Sequence, residues 1–176
     1  MSLGDFKILR HVSGKTLFES TKAASMKELV EEAVKASVSL DGANLRGVDL
    51  HGVSLEGVTL RNADLALSNL SGANFSVADL GGADFSAAIL KNASFFGSKL
   101  SGTRFFSADL TGADLSNAVL QETSFFGANL SGCKLTGAEI ASASFFEANL
   151  SGVDLSGLDL GHTDFRGAIF GFDAKS

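Results

Sequence analysis

The residues of this chain whose types could run chemistry have a spacing that argues against most of it. Gly14-Lys15-Thr16 has the ending of a phosphate-binding loop. That loop needs another glycine five residues before Gly14, where Leu9 stands, and a helix after it, where Thr16-Leu17-Phe18 reads as strand. A hairpin turn is the better reading. His11, His51 and His162 share no spacing suited to a metal, so no metal or other cofactor is expected. Cys133 is the single cysteine, which excludes an intramolecular disulfide. Its one adjacent cation is Lys134, so it is expected to pack as a small apolar group rather than to react as a thiolate. Asp and Ser are frequent, but they recur along the chain instead of converging. Acid–base or nucleophilic catalysis needs a concave, water-excluding site. The protein is read as a non-enzyme.

The bulk properties narrow the classes further. The 176 residues hold 14 Lys and Arg against 20 Asp and Glu, a formal net charge of -6. Direct nucleic-acid binding is disfavoured, because phosphate contact needs Lys and Arg. With 45% hydrophobic residues the chain is too apolar for a disordered acidic polymer. No apolar run approaches the roughly 18 residues of a membrane span. Gly4, Asp5, Lys7 and Arg10 interrupt any apolar signal core at the start. A soluble, cytoplasmic protein is expected.

The elements that would carry these residues follow from a repeat. From Leu40 to Phe170 every fifth residue is large and apolar: 27 consecutive positions, with 18 Leu, 8 Phe and Ile140. Two residues before each stands a mostly small residue, Ala in 15 of 27 places. Between them Asp or Asn is frequent, as at Asn44, Asp64 and Asn129. Gly fills 15 of the 27 places two after the large residue. The unit is A-(D/N)-(L/F)-x-G. A period of five fits neither a helix nor a long flat strand. Apolar-polar-apolar is a very short strand, and the Gly-bearing pair is turn chemistry. Such a unit, repeated at constant length, closes only by winding into an all-β solenoid. The Asp or Asn beside the turn is placed to accept local backbone N–H groups.

With these residues in view, the stretch from Val38 to Phe170 resembles the pentapeptide repeat family. The resemblance implies a right-handed quadrilateral parallel β-helix with four units per coil. The 27 units then make about seven coils and, at about 4.8 Å per strand, a rod about 32 Å long. Residues 20 apart should stack. Phe85, Phe105, Phe125, Phe145 and Phe165 should form one internal column, with Phe75 and Phe95 on the opposite wall. Both are read as core.

Residues 1–37 stand outside the repeat, 38–172 form the array, and 173–176 are a short tail. Phe6 to Val12 and Thr16 to Glu19 read as a hairpin about Ser13-Gly14. Ser25-Met26-Lys27-Glu28 is a capping box, and apolar residues then recur at helical spacing. The expectation is an N-terminal hairpin and a helical cap at about 26–36, closing the first coil. The other end has no comparable cover, and an open coil exposes apolar surface and strand edges. Two arrangements would hide it. The preferred one is an end-to-end homodimer through Leu160, Phe165, Phe170 and Phe172, a mode that the resemblance implies; the other folds Phe172 and the tail over the end.

Outward positions are usually polar, as at Asp41, Arg46, Glu56 and Lys91. Phe96, Phe106, Phe126 and Phe146 are the exceptions. The last three are 20 apart and should form an external ladder flanked by Arg104 and Glu147. Two readings stand: an interface for a protein partner, or a turn variant that tucks each second Phe against the next coil. The leading functional expectation is a non-enzymatic, rigid interaction scaffold that binds a protein partner or itself. The resemblance also implies an alternative, a DNA-mimicking binder of bacterial DNA gyrase that inhibits it or protects it from quinolones. Residues 38–172 hold 14 acidic and 7 basic side chains, a net of -7. About 32 Å of duplex DNA carries roughly 19 charges. The deficit, spread over all four faces, makes gyrase the minority expectation.

Overall fold

The five-residue beat of the sequence becomes a corner every five residues. The structure is a computed structural model and describes residues 6–171. Twenty parallel bridges, beginning with Asn44↔Asp64 and ending with Asn149↔Ile169, each join residues 20 apart. The Asp/Asn position of each bridged unit is therefore the middle of a three-residue strand that pairs with the neighbouring coils. Around Leu45 the bonds are Leu45 N–H to Asp64 O at 2.7 Å, Gly47 N–H to Ala66 O at 2.9 Å, and Asp64 N–H to Ala43 O at 2.9 Å.

Each corner is a β-turn. Ala113 N–H donates to Leu110 O at 2.9 Å, and Gly112 between them has φ 68. A positive φ at the third turn residue is the signature of a type II turn. From 42 to 167 every residue at that place is left-handed, fifteen glycines and eleven others. The Asp or Asn secures the turn. Asp109 Oδ1 accepts from Thr111 N–H at 3.1 Å, and Asn149 Oδ1 from Ser151 N–H at 3.0 Å. This two-residue bond is the job expected of the Asp/Asn position.

The interior is a single core. Phe85, Phe105, Phe125, Phe145 and Phe165 stack with centroids 4.9–5.3 Å apart. Phe75 and Phe95 stack on each other at 5.0 Å and meet the long column edge-on at 5.6–5.9 Å. Both geometries are favourable for aromatic quadrupoles. Where the small inward position is polar, its hydrogen bond is made. Thr103 and Thr123 donate to Leu80 O and Leu100 O at 2.9 and 2.7 Å, and Cys133 Sγ to Leu110 O at 2.9 Å. Burial pushes the Cys133 thiol up to about 12, so it stays protonated and inert.

At the start, β1 (Phe6–Leu9) and β2 (Thr16–Ser20) form an antiparallel hairpin with a bulge at Ile8/Leu9. The chain beyond β1 then pairs with the first coil. Arg10 bridges Ala43, and Asn44 N–H donates to Leu9 O at 2.7 Å. This pairing covers a strand edge that the sequence had not assigned to the hairpin. Helix α1 (Met26–Lys35) follows, with the Ser25 hydroxyl accepting from Glu28 N–H at 3.1 Å. Glu28 reaches back to Ala24 N–H at 2.7 Å, one residue before the usual capping-box partner. Leu29, Val30 and Ala33 are buried in the same core as Leu40 and Leu45. Among the described residues no helix is long and apolar enough to cross a membrane.

The last coil departs from the regular ladder. The bridges Ser144↔Asp164 and Asn149↔Ile169 form, but among the described residues none joins 134 to 154 or 139 to 159. In these two units Val153 and Leu158 hold the small inward position.

Two glycine substitutions separate backbone strain from crowding. Gly132 and Gly112 both have positive φ, but a Cβ at Gly132 meets nothing within 4 Å, whereas one at Gly112 would sit 2.6 Å from Asn92 Oδ1. Gly132→Ala should cost about 1 kcal/mol from backbone strain alone. Gly112→Ala should cost about the same, because Asn92 Oδ1 is the far end of a flexible side chain and can swing aside. Thermal unfolding of the three proteins checks this; a clearly larger loss at Gly112 would show that Asn92 is held in place.

Candidate functional site

A filled interior leaves the outside of the rod as the place for function. The candidate surface is built at one corner, where the residue after Phe105, Phe125 and Phe145 projects outward. Phe106 and Phe126 are 41% and 42% exposed, and Phe146 is half-buried. Their rings form a ladder. Phe106 and Phe126 meet edge-on with centroids 6.0 Å apart, and Phe126 and Phe146 stack at 5.5 Å with an interplanar angle of 7°. The hydroxyl of Ser144 accepts from Phe146 N–H at 3.4 Å and helps to fix that turn. Phe96, on the opposite corner, stands apart from this ladder.

The flanking charges fall differently from a simple reading of neighbours. Arg104 points back one coil, with Nε and Nη2 on Asp84 Oδ2 at 3.3 and 3.2 Å. Glu147 holds the left-handed place of its turn, φ 56, and packs beside Gly167. The cation on the ladder is Arg166, whose guanidinium lies 5.5 Å from the Phe146 ring centroid. Asp164 holds it there by two bonds, Nε to Oδ1 at 2.9 Å and Nη2 to Oδ2 at 2.8 Å. Those bonds lower the Asp164 carboxyl to about 2. Arg166 was not among the expected site residues, although the spacing of 20 that links the three Phe also leads from Phe146 to it.

The acidic groups are largely committed to the coils. Asp41 pairs with Arg61 at 2.6 Å, Asp84 with Arg104 at 3.2 Å and Asp109 with Lys91 at 3.3 Å. Asp64, the buried acid of the array, approaches His11 at 3.4 Å and Arg46 at 3.7 Å. His51 binds Asp49 at 3.1 Å, and no cluster of metal-ligating side chains occurs among the described residues. Gly14 is a hairpin residue with φ 63, bonded to Arg10 O, as the turn reading requires.

At the far end, Leu160 and Phe170 are 44% and 43% exposed, and Phe165 is half-buried between Phe145 and Phe170. They form an apolar end surface. Phe172 lies outside the described residues.

The family model for pentapeptide repeats matches in eight copies over residues 36–66, 68–105, 103–139 and 143–172. The chain belongs to the pentapeptide repeat family, whose members fold as right-handed quadrilateral β-helices and are generally interaction scaffolds rather than enzymes. No curated protein matches it significantly. Similar solved structures include HetL, a pentapeptide repeat protein involved in heterocyst differentiation regulation from the cyanobacterium Nostoc sp. strain PCC 7120. It is 24% identical over 81% of this chain and 96% of its own, with a TM-score of 0.33. Rfr23 from the cyanobacterium Cyanothece 51142 is 25% identical over 84% and 96%, TM-score 0.39. QnrB1, a plasmid-mediated fluoroquinolone resistance protein, is 19% identical over 73% and 77%, TM-score 0.41.

The paired carboxylates set the response to acid. Burial alone would raise Asp41, Asp84 and Asp109, but hydrogen bonds from Arg61, from Ser86 and Arg104, and from Thr111 and Lys91 outweigh it, and all three are lowered. A depressed folded pKa stabilises the fold above the unfolded value of about 3.8 and is lost as pH falls through the folded values. The thermal midpoint should be flat from pH 7 to 5 and fall below about pH 4, with Asp84→Asn reducing the fall. A midpoint that rises on acidification would contradict the pairing.

Proposed function

We propose that this protein is a rigid, non-enzymatic interaction scaffold. It binds a protein partner through the Phe106/Phe126/Phe146 ladder, and itself through the apolar end around Leu160, Phe165 and Phe170. In this reading the array is about seven coils, α1 and the hairpin close its first end, and the protein works in the cytoplasm of a bacterium. The observation that carries the proposal is the ladder: three rings at fixed spacing on a rigid corner, partly exposed, with a cation seated on the last. Exposed aromatic strips with arginine are the usual anchors of protein interfaces. The inner Phe column fills the core, and the outward rings leave about two-fifths of the Phe106 and Phe126 surface open to a partner.

Capture from a bacterial lysate on the tagged protein, alongside Phe126→Ser, tests the ladder. One protein should be retained by the wild type and lost from the variant; equal retention by both would remove the ladder as the site. The end surface predicts a second result. Sedimentation should give twice the chain mass, and Leu160→Asp with Phe170→Asp should return it to the monomer. A monomeric wild type would exclude the homodimer.

The DNA-mimic reading asks for free carboxylates along the rod. Asp41, Asp84, Asp109 and Asp164 are instead paired with cations and Asp64 is buried, which leaves about half of the fourteen acids of the array, among them Glu56, Glu122 and Glu139, outside ion pairs among the described residues. Supercoiling by DNA gyrase should therefore be unaffected by excess protein. Inhibition that Asp64→Asn with Asp84→Asn abolishes would favour the mimic.

A further inference from the structure

The ladder is the middle of a longer apolar ridge. In the ladder's own row, one and two coils before Phe106, stand Ser86 and buried Ala66; the exposed apolar residues of those two corners are Ala87 and Leu67, one place further along at the left-handed position. The ridge thus has five apolar rungs, and its ends are arginines, Arg46 in the coil before Leu67 and Arg166 in the coil after Phe146. Beside Phe126 and Phe146 the flanks are uncharged, Ser124 and Ser144 on one face and Asn129 and Asn149 on the other; beside Phe106 stand Arg104 and Asp109, already paired with Asp84 and Lys91 respectively, and Glu147 shares the corner of Phe146.

Leu67 is the informative rung. It is 56% exposed and has φ 62. The left-handed region costs a leucine about 1–2 kcal/mol, and more than half of its surface recovers nothing by burial. Glycine fills this turn place in most other units. Ten other non-glycine residues hold this place, Val77 as exposed at 57%, so what distinguishes Leu67 is an apolar side chain on the ladder's corner.

The dimensions select the occupant. The five rungs offer about 350 Å² of outward apolar surface, well below the roughly 800 Å² per partner of a stable globular interface. A second rigid rod on this corner buries too little. A slim element along the rod axis fits better. Six coils separate Arg46 from Arg166, about 29 Å, the length of about 19 helical residues. The ring spacings of 6.0 and 5.5 Å sit close to the helical pitch of about 5.4 Å. Charge adds direction. Arg46 approaches Asp64 at 3.7 Å and makes no side-chain hydrogen bond among the described residues. Arg166 gives Nε and Nη2 to Asp164, leaving Nη1 for another acceptor.

Resting on the ladder as an interaction surface, we propose that this ridge docks an amphipathic α-helix of about five turns, parallel to the rod axis. Its apolar stripe lies on Leu67, Ala87, Phe106, Phe126 and Phe146, and acidic residues near its two ends pair with Arg46 and Arg166.

The probe is a fluorescein-labelled 20-residue helical peptide with leucine on one stripe and glutamate in its first and last turns. Its anisotropy is titrated with the full-length protein. The wild type should bind it at least ~10-fold more tightly than a peptide with the leucines changed to serine, and Phe126→Ser should lose ~10-fold or more. Leu67→Gly should weaken binding ~3-fold or more while its thermal midpoint holds or rises, which a structural leucine would not allow. Arg46→Gln should weaken binding ~3-fold at low salt, with the difference vanishing near 1 M salt. If the wild type does not distinguish the two peptides, the helix proposal is overturned, and lysate capture alone judges the ladder. If Phe126→Ser loses binding but Leu67→Gly and Arg46→Gln do not, the ladder stands and the extended ridge falls. If Phe126→Ser binds as well as wild type, the ladder itself falls.

Discussion

One backbone constraint organises the molecule: a left-handed residue every five positions, held without exception from 42 to 167. It turns the chain through a corner at constant intervals, so a circuit closes after 20 residues and each strand meets the next coil in register. Parallel bridges 20 apart, the stacked Phe column and the Asp or Asn bonds at each turn all depend on that regularity. Glycine meets the constraint with no steric cost. The eleven other residues at this place bear strain, offset by cooperative stacking with the neighbouring coils. Asn92 above the bare backbone of Gly112 shows how one coil's side chain uses the space that the next leaves open.

The consequence for function is a division between inside and outside. Large residues at one phase and small ones at another fill a narrow interior, so among the described residues most of the polar groups stand on the outside of the coils. What varies freely is the corner residue just after each large one. At Phe105, Phe125 and Phe145 that residue is a second phenylalanine, and the same spacing that stacks the inner rings aligns the outer ones. The surface is therefore a by-product of the register, decorated by sequence. A rigid rod of this kind presents a line of contacts at fixed intervals, which suits recognition of another regular element better than of an irregular loop.

Much of this was readable from the residues alone, for a physical reason. A repeat of fixed length converts sequence distance directly into spatial distance, so Phe85 through Phe165 could be stacked on paper. The hairpin at Gly14, the helix with Ser25 as its cap, and the outward ladder were legible for similar local reasons. Other features needed three dimensions. The pairing of Arg10 with Ala43 depends on where the hairpin lands, which no spacing encodes. Arg104 turning to Asp84, and Arg166 settling over Phe146, depend on which carboxylate lies within reach. The loss of the ladder bridges at 154 and 159 has no counterpart in the repeat, since valine at the same inward place in the first coils leaves the bridges intact.

The account stands on the outer rings carrying little of the structure while the inner rings carry the core. The direct measurement is the unfolding free energy of Phe125→Ala beside that of Phe126→Ser, neighbours in sequence on opposite sides of the same wall. Removing the buried ring should cost about 3–5 kcal/mol, whereas removing the outer one, which meets Phe106 and Phe146, should cost about 1–2 kcal/mol, the worth of two ring pairs. If Phe126→Ser destabilised the rod as much as Phe125→Ala, the outer ladder would be packing rather than a surface kept for a partner.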